Sequence, residues 1–179
     1  MQEVVLARHP QSRGDLRLGI RAALRREGHA LRVSYALEGE LGRVRLPASA
    51  SPRFAGELWK HTCLELFLAL RGAHAYHEFN FSPSGEWAVY AFAAYREPVA
   101  FDVAGFDPAI ALRESRECLQ LDAGISLERL SAAHAREALA VGVSAVIEQD
   151  DGALSYWALA HPPGKPDFHH PDSFAVMLE

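Results

Sequence analysis

The sequence predicts an all-β fold: an antiparallel β-sandwich or jelly roll of about ten strands with minimal helix, spanning residues 1–179 as one domain. Three observations lead there. Apolar residues recur with a period of two, as in Leu31, Val33, Tyr35 and Leu37. Turn chemistry separates such runs at short intervals, in Glu27-Gly28-His29, Gly72-Ala73-His74-Ala75, Pro83-Ser84-Gly85 and Asp150-Asp151-Gly152. The helical patterns that a parallel α/β sheet needs between its strands are missing.

Val4–Arg8 opens as a strand and closes at His9-Pro10. Leu16–Arg25 alternates, with Leu16, Leu18, Ile20, Ala22 and Leu24 on one side. Its end, Ile20–Glu27, also has good helix propensity. The turn at Gly28 and the second alternating run Ala30–Glu38 favour a hairpin. Gly39–Glu57, with Pro47, Pro52 and Gly56, reads as a long loop, the kind of segment that carries function. Three strands follow, over Thr62–Arg71, Tyr76–Ser82 and Glu86–Tyr95. Glu97–Pro108 reads as irregular, Ala109–Arg113 and Cys118–Ile125 as a hairpin, and Ser126–Ala133 as a single helical turn capped by Ser126. Glu137–Gln149, rich in valine, suits a central strand paired with Ala153–His161. Prolines make His161–Pro171 irregular, and Ser173–Glu179 closes the chain as a strand.

The composition is that of an ordinary globular chain: 49% hydrophobic, 23% charged, net charge −5. Lys60 and Lys165 are the only lysines, and the locally basic run Arg13, Arg17, Arg21, Arg25 and Arg26 reads as a solvated strand face. Nucleic-acid binding, which needs concentrated phosphate-neutralising charge, is not expected. No apolar run approaches the length of a membrane helix, and MQEVVLARHP lacks a charged-then-apolar signal pattern. The expectation is a cytoplasmic protein without a membrane partner, with Cys63 and Cys118 free. Nothing in the pattern specifies a cofactor or an oligomeric state.

Side chains alternate between faces along a strand. Leu64, Leu66, Leu68 and Leu70 share one face with His77, Phe79 and Phe81 in a common core layer. The other face gathers Glu65, Tyr76, Glu78 and Asn80. Carboxylates and an amide on one sheet face suit a polyhydroxyl ligand, whose C–H faces stack on aromatic rings. Trp59, Trp87 and Trp157 are the candidate rings, Trp59 being the best placed for exposure. Two carboxylates are also the equipment of glycosidase-like acid–base catalysis. A second constellation, His161, Asp167, His169 and His170, sits in one proline-rich loop and raises a metal or haem site, or a small enzyme, as the alternative. Its spacing matches no zinc motif, and no Ser-His-Asp assembly, phosphate-cradling glycine loop or dinucleotide fingerprint is present.

The runs LWKHTCLELFLAL, YHEFNFSPSGEWAVYAF and SYWALAHPPGKPDFHHPDSF resemble the DOMON-like superfamily, related to the family-9 carbohydrate-binding modules, and within it a group of small bacterial proteins. The resemblance covers about Leu31 to Leu178. It implies a β-sandwich that binds a sugar or a haem on a concave sheet or at its rim. In the carbohydrate-binding members tryptophans clamp the sugar while carboxylates and amides hold its hydroxyls; Trp59, Glu65, Glu78, Asn80 and Trp87 fall in the corresponding region. The chain departs from those modules at Lys60-His61-Thr62, where acidic residues often follow the first tryptophan. The expected function is non-catalytic binding of a small, sugar-like molecule.

Overall fold

Burial alternates along Leu18–Glu27, Ala30–Gly39 and Cys118–Ser126, as the sequence there does. The computed structural model describes Met1–Glu179. Its strands are β1 (Gln2–Arg8), β2 (Leu18–Glu27), β3 (Ala30–Gly39), β4 (Cys63–Leu70), β5 (Tyr76–Phe81), β6 (Trp87–Ala94), β7 (Glu97–Val99), β8 (Ala109–Glu114), β9 (Cys118–Ser126), β10 (Leu139–Glu148), β11 (Leu154–Ala158) and β12 (Val176–Leu178). The only helical elements are single 3₁₀ turns, one of them at Leu127–Arg129 in the predicted helical turn, where Ser126 holds the cap position without a side-chain bond.

Every ladder is antiparallel, in the order β7-β6-β5-β4-β10-β11-β1-β2-β3-β9-β8, with β12 beside the start of β10. β1 is the hinge of this path: Gln2–Leu6 pair with β2, while Ala7 and Arg8 pair with β11. The two halves therefore face each other as a sandwich. Ile20, Leu24, Leu31, Val33, Leu37 and Leu121 from one half pack into a single core with Leu64, Leu66, Leu68, Phe79, Val141 and Val143 from the other. Tyr35, fully buried, donates its hydroxyl to the carbonyl of Glu65 at 2.7 Å and ties the layers together.

Helix propensity at Ile20–Glu27 loses to this burial. Alternation puts Ile20, Ala22 and Leu24 in the core, and the opposite side carries arginines that pair across strands or locally, Arg21 with Glu38 and Arg25 with Glu27. The hairpin turns through Gly28 at φ 58°, a conformation glycine adopts without a Cβ penalty. The addition to the expected elements is β7, which follows a tight turn at Tyr95-Arg96 inside the segment read as irregular. Cys63 and Cys118 are both free, the first buried and the second partly so.

Candidate functional site

The larger half of the sandwich has a second, outward face that is also covered. β4 shows why: its seven residues Cys63–Ala69 are all buried, on both sides. Leu64, Leu66 and Leu68 face the core, and at roughly 1.5–3 kcal/mol each their burial outweighs the cost of carrying Glu65 out of water on the other side. Antiparallel register then aligns the outward residues in rows. Ser144, Glu65 and Asn80 form one row across β10, β4 and β5; Phe67, Glu78 and Tyr90 form the next across β4, β5 and β6.

Two loops close over these rows. The proline-rich segment after β11 lays Phe168 on a small apolar cluster with Phe67, Tyr76 and Val146. The turn before β4 places Trp59, 47% exposed, at the opposite rim. Between them lies a cavity of about 570 Å³. Glu65, Glu78 and His169 supply its acidic and imidazole groups, and Lys60 and Arg96 stand at its margin. Trp59, Tyr90, Phe92, Tyr156 and Phe168 make its aromatic wall.

The carboxyl groups are deeply set: Glu65 is 3% exposed and Glu78 is 6% exposed. The Glu65 carboxyl accepts from the Ser144 hydroxyl at 3.2 Å, and that of Glu78 accepts from Asn80 Nδ2 at 2.8 Å. Desolvation pushes the Glu65 carboxyl well above its ordinary range, and the nearby Glu78 charge adds to the effect. Desolvation also raises Glu78, against the opposing pull of Asn80 and Arg96. Asn80 itself is fully buried, and its Oδ1 has no partner.

His169 is held from behind. The backbone N–H of Arg96 donates to the Tyr76 hydroxyl at 3.1 Å, leaving that hydroxyl to donate to His169 Nδ1 at 2.8 Å. Burial and the Arg96 charge lower the imidazole to about 4, so the ring is neutral and its proton is assigned to Nε2, 3.6 Å from the Glu78 carboxyl. Asp167 lies one layer out. It accepts from Tyr95 Oη at 2.6 Å and from Arg96 at 2.8 Å, and it receives the His169 backbone N–H at 3.2 Å. Partial burial alone would raise that carboxyl, but these bonds hold it below its usual value.

At the other rim, Lys60-His61-Thr62 is structural as well as distinctive. His61 Nδ1 lies 2.8 Å from Glu148, and Thr62 donates to the Arg45 carbonyl at 2.7 Å while accepting the Glu148 N–H. These bonds fix the turn that presents Trp59. Glu57 and Arg96 are the two non-glycine residues at positive φ, 60° and 55°, and both flank the cavity. Each is held by a phenol: the Glu57 N–H donates to Tyr90 and the Arg96 N–H to Tyr76.

The structure thus brings Trp59, Glu65, Glu78 and His169 to one cavity, with Asn80 and Asp167 supporting them. It places three other candidates elsewhere. Trp87 and Trp157 point inward to the core between the layers, 4% and 5% exposed, and cannot stack on a molecule in this cavity. Their alternation already opposes them to Tyr90 and Tyr156, which do line it. His161 turns away, its Nε2 2.8 Å from the Ala7 carbonyl and its ring against His9. The loop's donors therefore do not converge, and no group of three or more His, Cys, Asp or Glu side chains is arranged to hold a metal ion. Met1 and Met177, the only methionines, do not line the cavity. Sequence reasoning missed Tyr90, Tyr156, Phe168, Arg96 and Ser144. Strand parity marked the first two, while the others depend on loop placement and strand order.

No protein-family model and no curated protein matches the sequence. Solved structures do match in fold. A protein from Bacteroides uniformis ATCC 8492, proposed to be carbohydrate-binding, superposes with a TM-score of 0.62 at 15% identity, over 96% of this chain and 83% of its own. A family-9 carbohydrate-binding module from Caldicellulosiruptor kristjanssonii in complex with glucose gives 0.55 at 10% identity, over 84% and 71% of the two chains. A family-9 module from the same organism in complex with cellotriose gives 0.54 at 10% identity, over 90% and 75%. At these identities the likeness establishes a shared β-sandwich fold.

Proposed function

We propose that this chain is a non-catalytic sugar-binding domain of the DOMON-like type, whose ligand occupies the cavity beneath Trp59 and the Phe168 loop. The observation that carries the reading is a buried carboxyl floor, Glu65 and Glu78, backed by Asn80 and facing an aromatic wall across a 570 Å³ space. That volume falls within the range of small-molecule sites. Planar carboxyl and amide groups bond hydroxyls in pairs, and Trp59, Tyr90 and Tyr156 offer ring faces for C–H contacts. The family-9 modules that share the fold, seen with glucose and cellotriose, support the same ligand class.

A panel of mono- and disaccharides and nucleotide-sugars, screened by thermal shift with Glu78→Ala as control, tests the reading. The expected result is a rise in melting temperature for at least one sugar in the wild type and none in the variant. No response to any sugar, or an equal response in Glu78→Ala, overturns it.

A further inference from the structure

The floor of the cavity has two buried carboxyls and no Lys or Arg bonded to either. Only the Ser144 hydroxyl bonds the Glu65 carboxyl. Glu78 has Asn80 Nδ2 and, at 3.6 Å, the neutral His169 ring. Asn80 Oδ1, fully buried, has no partner. Both cations at the margin are already paired with other groups. Lys60 Nζ lies 2.7 Å from Glu57 and over the Trp59 ring, and the Arg96 guanidinium bonds Asp167 at 2.8 Å beside the Tyr95 ring. Two buried carboxyls without a positive partner are costly unless they stay protonated or gain a cation. The walls that surround them are aromatic, and ring faces attract a cation electrostatically. A quaternary ammonium would satisfy the rings but offers no N–H to the carboxyls. A neutral hydroxyl would satisfy the hydrogen bonds but supplies no counter-charge that lets the carboxyls ionise.

We propose that the ligand of this cavity is an amino sugar, seated with its protonated primary amine between Glu65 and Glu78. The inference rests on the sugar reading above and deepens it. Burial raises both carboxyls, and the Glu78 charge raises Glu65 further, so an arriving ammonium ion favours their ionised forms and sends any proton they hold to the buffer. The groups facing this exchange are Glu65 on β4, Glu78 and Tyr76 on β5, Tyr90 on β6, Tyr156 on β11, and His169, Arg96 and Lys60 from the loops. Of these, His169 is neutral, and Arg96 and Lys60 are held by Asp167 and Glu57.

Isothermal titration at pH 7 with glucosamine, glucose, N-acetylglucosamine and n-butylamine, each in phosphate and in MOPS, tests the proposal. Glucosamine is expected to bind roughly tenfold or more tightly than glucose or N-acetylglucosamine, with a buffer-dependent enthalpy that reports proton release. Glu65→Gln and Glu78→Gln are expected to abolish the preference and the proton release; circular dichroism confirms their folding. The comparison among ligands on the wild type stands without either variant. Equal binding of glucose and glucosamine without proton release overturns the amine while leaving the sugar reading intact. Equal binding of n-butylamine and glucosamine keeps the amine seat and overturns the sugar. Binding of none of the sugars or amines overturns both.

Discussion

The Tyr76 hydroxyl donates to His169 Nδ1 at 2.8 Å, and this one bond joins a strand of the sheet to the loop that roofs the cavity. Phe92 stacks on the Tyr76 ring, with centroids 4.7 Å apart, and fixes the phenol's direction. Tyr76→Phe keeps the ring but removes the hydroxyl, leaving His169 Nδ1 and the Arg96 N–H without their partner. The expected outcome is a loss of about 1–2 kcal/mol in denaturant unfolding. It should be accompanied by faster hydrogen exchange across residues 166–174. An unchanged exchange pattern would show that apolar packing alone holds the loop.

Glu65 and Glu78 make stability fall as the pH rises. Their folded carboxyls hold protons more tightly than the unfolded chain does. Above the ordinary glutamate value of 4.5 the unfolded state ionises first and binds fewer protons, so the unfolding free energy decreases with pH through this window. Glu65→Gln removes the larger contribution. The variant is expected to melt higher than the wild type at pH 8, with the difference shrinking towards pH 4, measured by thermal unfolding across that range.

His77 and His134 act in the opposite direction at low pH. Their rings meet edge to face at 5.2 Å, and His77 Nδ1 and His134 Nε2 are both buried without partners. Burial, with repulsion from His134, depresses His77 to about 4, and burial lowers His134 as well. Between the ordinary value of 6.5 and about 4 the unfolded state binds more protons, so stability rises with pH and is lost on acidification. His77→Phe is expected to flatten this acid limb, and a melting curve series from pH 4 to pH 7 reads the slope. His169, also lowered to about 4, contributes a second part that survives the substitution.

Tryptophan fluorescence separates the three indoles. Only Trp59 borders the cavity, and it is exposed, whereas Trp87 and Trp157 lie in the core. Ligand binding is expected to change the emission of the wild type and leave Trp59→Phe silent. Trp59→Ala should weaken binding at least several-fold with little change in stability, since the ring is half in solvent. Trp157→Ala should cost about 3–5 kcal/mol, as a buried aromatic does.

The strands and the polar face could be read from the chain because both follow from local alternation. Glu65, Glu78 and Asn80 share a side by parity alone, and Leu64, Leu66 and Leu68 share the other, whatever the rest of the molecule does. Parity also separated Trp87 from Tyr90 and Trp157 from Tyr156, but it cannot say which side meets the partner layer. That depends on the path turning at β1, a pairing between residues far apart in sequence. The depth of the carboxyl pair depends on loops before β4 and after β11, which alternation does not describe and whose course is set by bonds such as His61 to Glu148 and Arg96 to Asp167. Local pattern settled the strands and their faces; long-range packing settled that one of those faces is a covered cavity with Trp59 at its rim.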